Sequence, residues 1–266
     1  MLRTAPPFEE TETMTPHHPV IVGHRGAAAV TPENTVTSFR RGVAEGSHWL
    51  ECDVHLSADG QDAIIHDATL DRTAQAESPL RTGAVSDLTR AQLDRVLVGE
   101  DQHIPTLPQV LDAAVREDGT RVPVMVEIKA PEAADLVVRI LQERFEPSSW
   151  QDSSGAPALV LSFHEEPLRR TRELAPQIPL MRTTKATSPQ WWQSCRDLGV
   201  AHVGVRIADA RHADVERAAE LGASLNLGTA RTDEELDRAL ELGCDTLTVD
   251  DPAWAREQIA RRAAAR

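Results

Sequence analysis

His24, Arg25, Glu33, Glu51, Asp53 and His66 all fall in the first quarter of the chain, and Glu127 and Lys129 follow later in a Glu-Ile-Lys run. Unperturbed imidazole titrates near pH ~6.5, so His24 and His66 suit the roles of general base and general acid. Glu51, Asp53 and Glu127, if brought together, cannot all stay ionised without a cation. Their all-oxygen donor set suits one divalent cation, Mg2+ or Ca2+, better than zinc. Arg25 offers a planar fork to phosphate oxygens, and Lys129 offers a point charge. Together these groups equip a site for metal-assisted attack on a phosphodiester.

Such residues must be held by elements that converge. Side chains alternate across a strand, so Glu51 and Asp53 share one face while Cys52 takes the other, and Glu127 and Lys129 share a face of a later strand. Strand-like runs are read at Val20 to Gly23, Trp49 to Val54, Val122 to Ile128, Ala158 to Phe163, Ile178 to Arg182, Ala201 to Arg206, Ala223 to Leu227 and Asp245 to Asp250, with a short extra run at Ala63 to His66. Between them lie helical patterns. Val36, Phe39 and Val43 share a face; Ser188-Pro189 caps a helix start, and Thr232 with Glu235 reads as a capping box. Gly46, Gly199, Gly222 and Gly243 each close a helix ahead of a strand. This rhythm means parallel strands with crossover helices, and eight units predict a closed (β/α)8 TIM barrel. An open doubly wound sheet is the alternative, but the chain has no glycine-rich dinucleotide loop.

At the carboxyl ends of barrel strands the predicted residues would share one mouth. Residues 19–266 are read as the barrel domain and 1–18 as a disordered tail. The interval from about 68 to 105 breaks the rhythm and is read as an insertion on the C-terminal rim, with a helix over Leu88 to Leu97. Glu146 to Pro157 reads as a surface loop.

Composition narrows the partners. A formal net charge of -14 repels nucleic acid and anionic lipid at long range. An anionic small molecule must therefore meet local cations, and Lys129 and Lys185 are the only lysines. No stretch approaches the ~18 apolar residues of a membrane span, which argues against stable membrane insertion. Three widely spaced cysteines, Cys52, Cys195 and Cys244, read as reduced thiols and place the chain in the cytoplasm. Nothing in the sequence sets the oligomeric state.

The motifs His24-Arg25-Gly26, Pro32-Glu33-Asn34-Thr35, Glu51-x-Asp53-Val54, Asp59-Gly60, His66-Asp67-x-x-Leu70-x-Arg72-Thr73, Ile104-Pro105-Thr106-Leu107, Glu127-Ile128-Lys129, Ser162-Phe163 and Asp250-x-Pro252 resemble, in order and spacing, those of the glycerophosphodiester phosphodiesterase family. The likeness runs from about Val20 to Pro252. It implies a barrel with a small inserted subdomain and hydrolysis of glycerophosphodiesters to glycerol 3-phosphate and an alcohol. It also implies a divalent ion on Glu51, Asp53 and Glu127, an acid–base pair of His24 and His66, and phosphate contacts from Arg25 and Lys129. Glu33 is implied to support the first histidine. Asn34 belongs to the same motif, and Ser162 fits an inward polar position near the site.

Two departures bear on the leaving group. Where the family carries Trp-Thr-Val-Asn, this chain has Gly228-Thr229-Ala230-Arg231, and Gly-Ile-Ile-Thr-Asp becomes Thr246-Leu247-Thr248-Val249-Asp250. A cationic headgroup wants an aromatic wall. Its loss, with Arg182, Arg206 and Arg231 near strand ends, predicts an acidic or polyhydroxylated alcohol rather than choline.

Three other readings compete. A phospholipase D-like or sphingomyelinase D-like barrel would form cyclic phosphates on membranes, and an inactive barrel would only bind ligand. Glu127 and Lys129 would also suit a plain ion pair. His55, His103, His164, His202 and His212 read as surface residues, and Trp191 and Trp192 as helix packing.

Overall fold

The computed structural model describes residues 18–99, 101–150 and 155–265. All but the last residue of the predicted tail lies outside them. The strands are β1 (Val20–Gly23), β2 (Trp49–Leu56), β3 (Asp62–Ile64), β4 (Leu97–Gly99), β5 (Gln102–His103), β6 (Val124–Ile128), β7 (Ala158–Ser162), β8 (Leu180–Thr184), β9 (His202–Arg206), β10 (Ser224–Ala230) and β11 (Thr246–Val249). The helices are α1 (Val36–Ala44), α2 (Arg90–Leu93), α3 (Leu107–Ala113), α4 (Ala134–Arg144), α5 (Glu165–Leu174), α6 (Pro189–Leu198), α7 (His212–Leu221), α8 (Asp233–Leu242) and α9 (Pro252–Ala264).

Strands β1, β2, β6, β7, β8, β9, β10 and β11 pair in parallel in that order. β1 then pairs with β11 and closes the ring, making a (β/α)8 barrel. β3 runs antiparallel beside β2 and lies outside the ring. The barrel strands read as nearly continuous apolar runs because both faces are covered, one by helices and one by the barrel interior.

Inside, Val22, Trp49, Met125, Leu159, Leu161 and Met181 pack into one apolar cluster. It fills the barrel interior along β1, β2 and β6 to β8. On the other side Cys52, Val126, Val160 and Val203 join the large cluster shared with the helices. Alternation along each strand therefore sends successive side chains by turns into the barrel and outward to a helix. The interior of the opposite staves is smaller and more polar. There the Asn226 amide donates to Thr246 Oγ1 (2.8 Å) and Thr248 Oγ1 (3.1 Å).

The helix ends follow local chemistry. Thr35 caps α1 by accepting from the Ser38 amide (3.1 Å), and Gly46 turns the chain beyond α1 at φ 82°. Ser188 accepts from the Trp191 amide (3.1 Å) ahead of Pro189. Thr232 caps α8, but the Glu235 carboxylate accepts from the Arg231 amide (2.7 Å) instead of completing the box.

The interval 68–105 carries its own small core. Ile65, Leu70, Val85, Leu93, Val96 and Ile104 are buried together, with Ala74, Leu80, Leu88 and Val98 packed against them. The helix expected over Leu88 to Leu97 is cut to Arg90–Leu93, and the chain then enters the β4–β5 hairpin. Leu93 and Val96 reach this core only if the chain turns back on itself. The segment read as a plain loop after Glu146 contains a helical turn, Pro147–Trp150, whose Trp150 packs edge-on against Phe145 (5.8 Å between ring centroids). Among the described residues no helix is long and apolar enough to cross a membrane.

Candidate active site

Glu51 and Asp53 rise from β2, and Glu127 rises from the neighbouring β6, where Asp53 and Glu127 are in register. One ligand oxygen from each of the three lies within 4.8 Å of the others, and all three residues are buried. Lys129 Nζ, one residue beyond β6, lies 2.7 Å from Glu127 and 3.2 Å from Asp53. Arg25 Nε lies 3.2 Å from Asp53. Burial opposes ionisation of Asp53, but Lys129 and Arg25 outweigh it and hold the carboxyl down to about 2. The other two acids are less well served. Burial, then repulsion from Asp53 and Glu127, pushes Glu51 well above its ordinary value. Burial and Asp53 push Glu127 up to about 7 despite Lys129. Glu51 Oε1 is buried with no hydrogen-bond partner. Two protein cations thus leave a three-carboxylate cluster short of positive charge. An oxygen-only trio with an orphaned buried oxygen fits a hard divalent cation.

Each predicted histidine is held by an aspartate. His24 follows β1 directly, and its Nδ1 lies 2.5 Å from Asp250 Oδ1, just beyond β11. His66 Nδ1 lies 2.6 Å from the adjacent Asp67 Oδ1. An ionised carboxylate only accepts, so each ring donates from Nδ1. His24 Nε2 is 4.0 Å from Glu51 Oε2. The two aspartates are in turn held by arginines. Arg231 Nε donates to Asp250 (2.5 Å), and Arg72 Nε donates to Asp67 (2.7 Å).

The loop from β1 to α1 is strained where it meets the acids. Arg25 (φ 50°) and Asn34 (φ 57°) both adopt the left-handed region, which costs a non-glycine residue about 1 kcal/mol or more. The strain aims the Arg25 amide at Glu51 Oε2 (3.1 Å) and the Asn34 side-chain amide at Asp53 Oδ2 (2.7 Å). Gly26 lets this loop lie on α1, since a Cβ there would come within 2.4 Å of the Ser38 backbone.

Three expectations need correction. Glu33 does not touch His24 among the described contacts. It accepts from Arg25 (2.8 Å) and from Arg72 (2.6 and 2.9 Å), so it sits behind the arginine rather than the imidazole. Ser162 does not face the mouth: it shares the outer face of β7 with Val160, while Leu159 and Leu161 point inward. Its hydroxyl donates to the Ile128 carbonyl (2.8 Å) and accepts from the His164 amide (3.1 Å). His55 and His202 are not free surface residues. His55 Nε2 bonds the His66 carbonyl (3.1 Å), and both His202 ring nitrogens are buried without a hydrogen-bond partner.

The rim arginines also divide. Arg182 turns outward to Ser194 (3.0 Å) and Glu165 (3.7 Å). Arg206 and Arg231 stay at the mouth ends of β9 and β10, paired with Asp209 and Asp250. Phe163, exposed at the end of β7, lies 5.9 Å below Lys129 Nζ. Trp191 and Trp192 pack edge-on to each other in the helix layer, 4.9 Å between ring centroids.

Asp67, Arg72 and Asp250 were given no role at the site on sequence alone. Asp67 stands next to a histidine and resembles a turn cap. At Asp250-Asp251-Pro252 the second acid makes the helix cap, accepting from the Trp254 amide (2.8 Å). That leaves the first free to turn inward, a division that the doublet of acids alone does not reveal.

The fold and the acid-lined mouth define a barrel enzyme. Residues 24–254 match the model of the glycerophosphoryl diester phosphodiesterase family, and the chain belongs to that family. A probable glycerophosphodiester phosphodiesterase 1 of Mycobacterium tuberculosis is 29% identical over 261 residues, spanning 90% of this chain and 93% of its own. A glycerophosphodiester phosphodiesterase of Caldanaerobacter subterraneus is 25% identical over 246 residues, spanning 88% and 94%. Among solved structures, a putative glycerophosphoryl diester phosphodiesterase from Silicibacter pomeroyi shares the fold with a TM-score of 0.83 at 21% identity, covering 94% of this chain and 95% of its own. An Oleispira antarctica phosphodiesterase, solved with the product sn-glycerol-3-phosphate, does so with a TM-score of 0.80 at 23% identity, covering 91% and 97%.

Proposed function

We propose that this enzyme hydrolyses glycerophosphodiesters to sn-glycerol 3-phosphate and an alcohol, with a divalent cation on Glu51, Asp53 and Glu127 and with His24 and His66 as the acid–base pair. The observation that carries the reading is the buried three-carboxylate cluster, left short of positive charge and flanked by a histidine whose proton position is set. The family and the product-bound barrel support the substrate class. When bound, such a cation polarises a phosphoryl oxygen and offsets the charge that builds on it.

Arg25 and Lys129, both against the same acids, orient the phosphate. His24 Nε2 takes the proton from the attacking hydroxyl, and Asp250 stabilises the imidazolium that forms. His66, protonated on Nε2 as well, gives a proton to the departing alcohol oxygen. Two nucleophiles fit this plan. The glycerol 2-hydroxyl would give a cyclic phosphate that water then opens, with the histidines exchanging roles. Water would otherwise attack directly. The loss of the family's aromatic residue at Gly228, with Arg206 and Arg231 at the rim, supports an acidic or polyhydroxylated leaving group. Three free, buried cysteines support a reducing, cytoplasmic setting.

A panel of glycerophosphodiesters, assayed for released glycerol 3-phosphate, tests the reading. Turnover should vanish with chelator and return with Mg2+ or Ca2+. Full turnover after the metal is stripped, or none on any diester with metal present, overturns it.

A further inference from the structure

Arg72 is neither an acid–base group nor a phosphate ligand in the reading above, yet it is the most heavily bonded side chain beside the site. Its Nε and Nη2 donate to the two oxygens of Asp67 (2.7 and 3.1 Å). Its Nη1 and Nη2 donate to the two oxygens of Glu33 (2.9 and 2.6 Å). One guanidinium therefore grips two carboxylates at once, and each carboxylate grips a site residue: Asp67 holds His66, and Glu33 holds Arg25. The five donors of a planar fork allow this double grip, and an ammonium does not.

The backbone under Arg72 is fixed from the inserted segment. Leu70 is wholly buried in the small core of that segment, its amide bonds the Gly83 carbonyl (3.1 Å), and the amides of Thr73 and Ala74 close on its carbonyl. The electrostatics agree with the geometry. Hydrogen bonding from Arg72, ahead of that from His66, holds Asp67 well below the usual carboxylate range. Burial raises Glu33, but Arg72 and Arg25 outweigh it and keep it low. Both acids thus stay acceptors at neutral pH, which keeps the His66 proton on Nδ1 and the Arg25 fork turned inward.

We propose that Arg72 is a positioning residue that sets His66 and Arg25 as a pair, so that the insertion carries part of the catalytic geometry. The proposal rests on the phosphodiesterase reading, and its tests separate the two. If the parent enzyme turns over no glycerophosphodiester, that reading fails while the structural test below still decides the proposal.

In Arg72→Gln, kcat should fall about ten- to a hundredfold, the usual cost of losing a group that orients a ligand or acid–base residue. The divalent-ion affinity should stay near the parent's. Arg72→Lys should not restore the rate, because a point charge cannot hold both carboxylates. Asp67→Asn should cost far less in the Arg72→Gln background than alone, since both act on His66. Arg90→Gln serves as the control. Arg90 ties the insertion to β3 through the Asp62 and Ile104 carbonyls (2.9 and 2.8 Å) and, among the described residues, touches no proposed site residue, so Arg90→Gln should lower Tm and leave kcat nearly unchanged. Independently of substrate, nitrogen NMR of labelled imidazoles, assigned with His66→Gln and read at a pH where the ring is neutral, should show a single Nδ1–H tautomer for His66 in the parent and a mixture in Arg72→Gln. A kcat within threefold of the parent's, full rescue by lysine, additive losses with Asp67→Asn, or an unchanged His66 tautomer would overturn the proposal.

Discussion

The two histidine arms reach the same arrangement by different routes. His24 is fixed by the barrel itself, because its aspartate lies 226 residues away and arrives only when β11 pairs with β1. His66 is fixed by its neighbour Asp67 and by Arg72, a short stretch at the entry to the inserted segment. The first arm is as rigid as ring closure. The second is as rigid as a small satellite core. The more exposed arm is the one tied to the separately packed element: the His66 side chain is 34% exposed against 13% for His24.

The strongest way to break this comparison is to remove each imidazole. His24→Ala and His66→Ala should each cost about 10²- to 10⁴-fold in kcat. A nitrophenyl leaving group, which departs without a proton, should recover His66→Ala and not His24→Ala. Recovery of both, or of His24→Ala alone, would reverse the assigned roles. Next in size is Leu70→Ala. A buried leucine lost from the satellite core costs about 2–5 kcal/mol if that core unfolds with the barrel. If it opens first, hydrogen exchange in residues 68–105 should accelerate while β1 and β11 stay protected.

The aspartates come third. Asp250→Asn and Asp67→Asn should each lower kcat by about ten- to a hundredfold, with the tautomer of the matching histidine disturbed. Acid should loosen both arms in the same direction. Burial raises Asp250, but its bonds to His24 and Arg231 more than offset that, and Asp67 is likewise held low. A carboxyl whose folded value lies below the unfolded one, near ~3.9, contributes stability above that pH and loses it as pH falls through the folded value. Thermal stability should therefore drop on acidification below about pH 4, and less steeply in Asp67→Asn. The smallest expected effect is on leaving-group choice. Arg231→Ala should shift preference toward glycerophosphocholine and away from acidic or polyhydroxylated alcohols by several fold in relative kcat/KM. A parent that already favours glycerophosphocholine by a wide margin would remove the role proposed for this rim.

The same contrast explains what the sequence could yield. Barrel strands announced themselves as buried apolar runs, and the face shared by Glu51 and Asp53 followed from alternation alone. Local signals such as Ser188-Pro189 and Gly199 carried over because capping depends on a few adjacent residues. Contacts made by ring closure did not. Nothing near His24 says that Asp250 is its partner, and Glu33 stands close enough in sequence to suggest the role wrongly. Ser162 was misplaced by one residue of alternation, since the inward positions of β7 belong to Leu159 and Leu161. The short helix before β4 was overextended because apolar spacing does not reveal where a small core makes the chain reverse.

The apolar packing inside the barrel has a kinetic consequence. Val22, Trp49, Met125, Leu159, Leu161 and Met181 fill the interior on the β1 to β8 side, so the phosphate product and the next diester share the mouth at the carboxyl ends of the strands. Spent and fresh molecules then take turns at one berth, so accumulated glycerol 3-phosphate should slow the enzyme by pure competition, raising apparent KM and leaving the saturated rate intact.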